Sequence, residues 1–520
     1  MRNKIVRFTI LNQPYSLLLL LGCIALAVGL RVWGLNFGLP YVYHPDEVVA
    51  INGAQHMIKT GDWNPHFFHW PSLIFYLNAV LYELHFLIGK LLGLFQSTGD
   101  IPAPVMLGMA VGYMPMPSIW LLSRVLTMSL GVGAVILAFL NGRTLMGKTA
   151  IGLLAAFLVA ISPTNVANSR FVTPDTFATF FLMLAFYGTI HVFQTGQTRY
   201  YVLNGIAIGL AVSSKYNAAL VAIPFLLAHF HFHGLKGIKD PRLYGTGILS
   251  IAAFFATTPY AILDWPTFWE ALQFDAAHYS TGHAGMEGNT LSWYLSYLWR
   301  VEGLVFILAV LEIGRGIYGR SRKTILLALF PVIYFAFISS MVVRNDRTLL
   351  PAIPFFILLV ANLLVAVYDW LRQKPLSWRR YGTAALIMVT AVTIIIPLNT
   401  TIKTGRRITA VDSRETARVW IAENLPPGAK ITFESYAPYI DPGQFTVQYI
   451  NDMKVNPLEV YKADGTDYLV FSAGSYRRFF NDPERYANEI AIYEQLWSQL
   501  ESVKIFNDGD FEIRIYAIPK

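Results

Sequence analysis

Long runs of apolar residues recur along the first three-quarters of the chain. A bilayer core of roughly 30 Å is crossed by about 20 residues of helix, whose backbone groups bond within the segment. Eleven segments qualify as spans: 15–34, 118–140, 149–163, 176–195, 201–214, 216–232, 243–261, 302–318, 324–342, 349–369 and 381–398. Of 520 residues, 55% are hydrophobic and only 14% charged, which excludes a disordered chain and argues against an ordinary soluble enzyme. The first run is too long for a cleaved leader and has no small-residue cleavage site before Arg31, so it is read as a retained helix. Cys23 is the single cysteine, so no intrachain disulfide can form.

Charge fixes the expected topology. Arg2, Lys4 and Arg7 precede the first span and place the N-terminus in the cytoplasm. Alternation then puts 17 of the 26 basic residues of positions 1–400 on the inner side, mostly in short loops. That pattern explains the basic balance without nucleic acid. Residues 71–95 are long enough to span, but a crossing there would invert everything downstream. They are read as an amphipathic helix on the outer surface, with Glu83, His85 and Lys90 on its wet side. An odd number of spans leaves residues 399–520 outside. Positions 401–520 hold 17 acids and 14 bases, an ordinary soluble balance. The expected organisation is a membrane part, 1–398, and an extracytoplasmic α/β domain, 399–520. In the latter we expect helices at 412–424 and 482–501, and strands at 430–435, 467–472, 503–506 and 511–518. An Asn507-Asp508-Gly509-Asp510 turn joins the last two strands.

Twelve of the 15 acids of the membrane part fall on the outer side, which suggests a polar working face there. His44-Pro45-Asp46-Glu47 opens the long first outer loop, 35–117. Proline suits the first turn of a helix, and carboxylates there meet the positive end of its dipole. A carboxylate held ionised in this way can serve as general base or metal ligand, and helix capping is the competing explanation. Arg170 and Asp175 border a short second loop. An acid at a span's edge needs a partner or a wet cavity, and an Arg170–Asp175 pair would meet that need equally well. Arg124, Arg170, Lys215, Arg344 and Arg347 are outer cations that break the positive-inside rule. Snorkelling explains any one of them, whereas five on one side suggest a negative partner such as phosphate. His278 and His283 are read as loop residues, and His229, His231 and His233 as an interfacial cluster rather than a metal site.

Taken in order, the Asp46-Glu47 loop, the surface helix, Arg170 and Asp175, Lys215 and the Arg347-Thr348-Leu349-Leu350-Pro351 run resemble the polytopic GT-C glycosyltransferases. The resemblance is to the group of protein O-mannosyltransferases and the lipid A aminoarabinose transferase (glycosyltransferase family 39-like), over most of residues 15–370. The tail looks like the outer domain of some bacterial and archaeal members. This implies transfer of a sugar from a polyprenyl-phosphate carrier to a protein, lipid or glycan acceptor, with inversion, at the outer face of a plasma membrane. It also implies that Asp46 deprotonates the acceptor hydroxyl, while Glu47 and Asp175 orient the acceptor or a divalent cation. Lys215, Arg170, Arg344 and Arg347 would stabilise the leaving phosphate. His69, in His69-Trp70-Pro71-Ser72-Leu73, stands where close relatives have a Lys-Pro-Pro-Leu run, and an imidazole is largely neutral near pH 7. The rival reading is a transporter or flippase of a lipid-linked substrate, against which no internal repeat is visible.

Overall fold

The computed structural model describes residues 14–507 and 511–519. The basic flank at Arg2, Lys4 and Arg7, and turn residues Asp508, Gly509 and Asp510, lie outside the described residues.

Helix α1 (Pro14–Val32) leads into a long loop that is itself structured. It contains α2 (Pro45–Thr60), α3 (Leu73–Leu91) and the hairpin β1–β2 (Val105–Gly108, Val111–Tyr113). The bundle continues with α4 (Pro117–Met146), α5 (Thr149–Ile161), α6 (Pro163–Asn168), α7 (Pro174–Thr195), α8 (Thr198–Val212), α9 (Ala222–His233) and α10 (Pro241–Thr257). Next come α11 (Tyr260–Leu263), α12 (Trp265–Thr281), α13 (Thr290–Tyr297), α14 (Val305–Tyr318), α15 (Arg322–Ser339), α16 (Ile353–Arg372) and α17 (Leu376–Thr409). Proline opens α2, α4 and α7, where its missing N–H costs nothing, and glycines in the left-handed region end them at Gly61, Gly147 and Gly196.

Every expected span corresponds to helix. The chain is a multi-pass membrane protein in which eight helices of the described residues are long and apolar enough to cross a bilayer. Helix α3 meets that criterion, whereas α5 has only 13 residues. Yet α3 packs chiefly on α2, its Leu73 N–H bonds the Ser213 carbonyl just past α8, and Tyr82 meets Ser123 early in α4. It therefore lies against one end of the bundle, beside α2. The main core is formed by α4, α5, α7, α8 and α16, and α16 is buried over most of its length.

Helix α17 runs on to Thr409 and delivers the chain to a small α/β domain at the same end. The domain holds α18 (Ser413–Asn424), β3 (Lys430–Phe433), β4 (Thr446–Tyr449), α19 (Leu458–Ala463), β5 (Tyr468–Ser472), α20 (Ala473–Phe480), α21 (Ala487–Gln499), β6 (Glu501–Phe506) and β7 (Ile513–Ala517). The sheet order is β4-β3-β5-β7-β6, with β3 parallel to β4 and β5 and the rest antiparallel. Asp412 caps α18 by accepting from the Arg414 N–H, as its position before the helical run predicts. The expected helix from 482 starts at Ala487, after a turn containing Pro483. The central strands β3, β5 and β7 are buried on both faces, whereas the edge strand β6 is mostly exposed.

The domain is seated on the long loop between α1 and α4. The Tyr436 N–H bonds the Met109 carbonyl at 3.0 Å, Gly108 lies against the Tyr449 ring, and Arg414 donates to the Tyr43 carbonyl at 3.2 Å.

Candidate active site

Four charged side chains from four distant stretches meet at the domain-bearing end of the bundle. Pro45 starts α2, which puts Asp46 in its first turn, and Pro174 does the same for Asp175 in α7. Lys215 follows α8, and Arg347 opens a short 3-10 turn, Arg347–Leu349, between α15 and α16. Asp46 pairs with Arg347, and Asp175 pairs with Lys215. Arg347 and Asp175 line one cavity, which brings the two pairs together. Desolvation opposes the Arg347 charge, but Asp46 and Asp175 together raise the guanidinium above its usual value. The side chains of Asp46 and Arg347 are 26% and 30% exposed, whereas Asp175 is 2% exposed. In the row Asp46–Arg347–Asp175–Lys215, Asp175 is the buried member and Lys215 is 18% exposed.

A cavity of about 530 Å³ opens beside this row. Asp175, Lys215, Arg347, His69 and His278 line its polar part, and Leu272, Phe274, Phe337 and Ile338 its apolar part. His69 Nδ1 lies 2.8 Å from Asp275 Oδ1 on α12, and burial raises the Asp275 carboxyl despite this partner. The arrangement offers cations at one end of a hydrophobic trough, which is the form a phosphate on a lipid chain requires.

The remaining sequence-predicted residues sit elsewhere. Glu47 turns away from Asp46 and is 1% exposed. It accepts from Arg124 Nε and Nη2 at 2.8 and 2.7 Å, from Trp120 Nε1 at 2.9 Å and from the Val172 N–H at 3.1 Å. Burial alone would raise its carboxyl, but Arg124 and the other donors hold it below the usual range. Glu47 thereby ties α2 to α4 and to the segment just before Asp175, fixing the spacing of the two cleft carboxylates. It does not converge with Asp46 and Asp175 as a metal triad, and no cluster of three or more His, Cys, Asp or Glu suited to a metal occurs among the described residues. Arg170 is buried beside Arg31 and donates Nη2 to the Leu30 carbonyl at 2.6 Å, away from the cavity. Arg344 reaches the Asn289 carbonyl at 3.4 Å and lies 6.0 Å from the Trp293 ring. Asp275 was not singled out by the sequence, and His278, read there as a loop residue, stands on the cavity wall. Only their place on one helix, Trp265–Thr281, amid aromatic residues, could have marked them.

Residues 107–260 match the family described as dolichyl-phosphate-mannose-protein mannosyltransferase. Over 92 residues the chain is 38% identical to dolichyl-phosphate-mannose–protein mannosyltransferase 1 of Candida albicans, which is 17% of this chain and 10% of that protein. The apo oligosaccharyltransferase of Archaeoglobus fulgidus superposes with a TM-score of 0.57 at 13% identity, covering 98% of this chain and 75% of that one. ArnT of Cupriavidus metallidurans bound to undecaprenyl phosphate gives 0.55 at 13% identity, covering 96% and 98%. The chain has the GT-C glycosyltransferase fold. Both GT-C structures extend over the helical bundle and the C-terminal domain alike.

Proposed function

We propose that this chain is an inverting glycosyltransferase that moves a sugar from a polyprenyl-phosphate carrier to an acceptor hydroxyl at the extracytoplasmic face of the plasma membrane. The observation that carries this reading is the Asp46–Arg347–Asp175–Lys215 row beside a cavity that is charged at one end and apolar at the other. The undecaprenyl phosphate bound to the structurally similar ArnT supports a lipid phosphate as the occupant.

In this mechanism Asp46 takes the proton from the acceptor hydroxyl as its oxygen attacks the anomeric carbon. The bond from that carbon to the phosphate oxygen breaks, and the leaving carrier phosphate gains negative charge. Arg347 and Lys215 face that charge from the polar end of the cavity, and His69, held by Asp275, lines the same cavity. Arg347 links the two halves of the reaction, because it binds the base in the resting site and borders the phosphate cavity. Acceptor and donor would each draw it from Asp46, freeing the base only when the site is filled. Glu47 is assigned a positioning role through Arg124, and Arg170 and Arg344 are assigned no contact with the phosphate. The basic residues read as cytoplasmic, such as Arg143, Lys148, Arg242, Arg320 and Arg372, lie at or beyond helix ends, as do Asp46, Asp175 and Lys215 at the opposite ends. This supports a cytoplasmic N-terminus and an extracytoplasmic site and tail. The test is release of free carrier phosphate from a panel of polyprenyl-phosphate sugars by the purified protein with membrane extract as acceptor. Turnover that needs Asp46 and Lys215 supports the reading, and turnover unaffected by their loss overturns it.

A further inference from the structure

A second crevice, of about 320 Å³, opens where the domain meets the long loop between α1 and α4. Tyr41 and Tyr113 stand side by side through an antiparallel bridge, and Tyr439 reaches over from the loop after β3. The ring centroids are 5.5 Å apart for Tyr41–Tyr439, 5.8 Å for Tyr41–Tyr113 and 5.9 Å for Tyr113–Tyr439. The Arg418 guanidinium lies 4.5 Å from the Tyr41 centroid and is held by Glu415 at 2.9 Å. Asp441 sits exposed at the rim, with Oδ1 accepting the Gly443 N–H at 2.9 Å. None of the three phenol hydroxyls has a protein partner among the described residues.

These groups fit one ligand class. A sugar ring has an apolar C–H face and a rim of hydroxyls. Tyrosine faces cover the first, while a planar carboxylate and guanidinium each match two adjacent hydroxyls. An extended peptide would instead need free main-chain groups. Of the lining residues, Arg418, Ile421 and Ala422 belong to helix α18, and the Ala422 carbonyl already accepts from Gln444 Nε2 at 2.7 Å. The crevice also lies close to the reacting residues. Tyr41 and Asp46 are joined by a short segment whose full extension, at roughly 3.3 Å per residue, is about 16 Å. That is comparable to two or three sugar rings laid end to end.

We propose that this crevice is a carbohydrate-binding subsite that holds a neutral sugar unit of a glycan acceptor, two or three units from the hydroxyl presented to Asp46. Its assignment to the acceptor rests on the transferase reading, whereas carbohydrate binding itself does not. The test is saturation-transfer NMR on the full chain in a non-glycosidic detergent. The probes are di- to tetrasaccharides of mannose, glucose, N-acetylglucosamine and arabinose. Binding of at least one series is expected, weakened about tenfold or more by Tyr439→Ala and by the milder rim change Asp441→Asn, and kept in Asp46→Asn. Binding by no glycan overturns the proposal, as does equal affinity in both crevice variants or displacement of the glycan by short unglycosylated peptides. Glycan binding at the crevice together with undiminished transfer by Asp46→Asn would leave the subsite standing and remove only the catalytic assignment.

Discussion

Replacing Glu47 with alanine should destabilise the protein by about 3 kcal/mol or more, although Glu47 does not face the cleft. Glu47 and Arg124 are 1% and 2% exposed and bonded through two guanidinium nitrogens at 2.8 and 2.7 Å. Removing one partner of such a pair strands a buried charge, a loss of about 3–5 kcal/mol. Arg124 keeps the Leu35 and Phe37 carbonyls at 2.8 and 2.7 Å, which favours the lower end. The lost bonds from Trp120 and Val172 add about 1 kcal/mol each. Because the two residues act on each other, Glu47→Ala with Arg124→Ala should cost less than the sum of the singles by about 1–3 kcal/mol. The assay is denaturant unfolding in lipid bicelles, with carrier-phosphate release measured in parallel. The Glu47 carboxyl is held below its ordinary 4.5, so its contribution is present at neutral pH and is lost as pH falls from 4.5 through the lowered folded value. A Glu47→Ala protein within about 0.5 kcal/mol of wild type, or fully additive singles, would refute the positioning role.

Lys215→Ala should lower transfer by about 10²–10³-fold, whereas Arg344→Ala, outside the cavity, should change it by less than about threefold. Single-turnover rates with a defined donor distinguish the two. Glu434, buried in the domain core, accepts from the Met453 and Ser472 N–H groups and the Tyr493 hydroxyl at 3.0, 2.8 and 2.8 Å. Burial outweighs these donors and pushes its carboxyl up from 4.5 to about 7. The folded domain therefore holds this proton more tightly than the unfolded chain, so stability falls as pH rises between about 4.5 and 7. Thermal unfolding across that range should show the slope in wild type and a flatter profile in Glu434→Gln.

The helical bundle was legible because its apolar runs have the length a bilayer imposes, and the Pro45-Asp46-Glu47 and Thr173-Pro174-Asp175 helix starts are written in local chemistry. The pairing of charges was not. Arg124 and Arg347 each had to meet a negative group, but their partners Glu47 and Asp46 are 77 and 301 residues away. Nothing local in the sequence separates Lys215 and Arg347, which line the cavity, from Arg124, Arg170 and Arg344, which do not. Helix α3 shows a related limit of pattern reading. One face of it packs on α2 and α4 while Val80, Leu84, Leu87, Ile88 and Leu91 are exposed, and length alone does not distinguish that from spanning. The β1–β2 hairpin escaped because its strands are only four and three residues long. The tyrosine crevice is assembled from residues on both sides of the domain junction, so no local motif announces it.

The central claim is that Asp46, drawn from Arg347 when the site fills, is the base for sugar transfer. The most direct test is single-turnover release of carrier phosphate by Asp46→Asn and wild-type protein, loaded to saturation with the donor that wild type consumes. The account predicts normal donor binding and a fall in rate of about 10²–10⁴-fold in the variant. Wild-type rates from Asp46→Asn at full donor occupancy would contradict it.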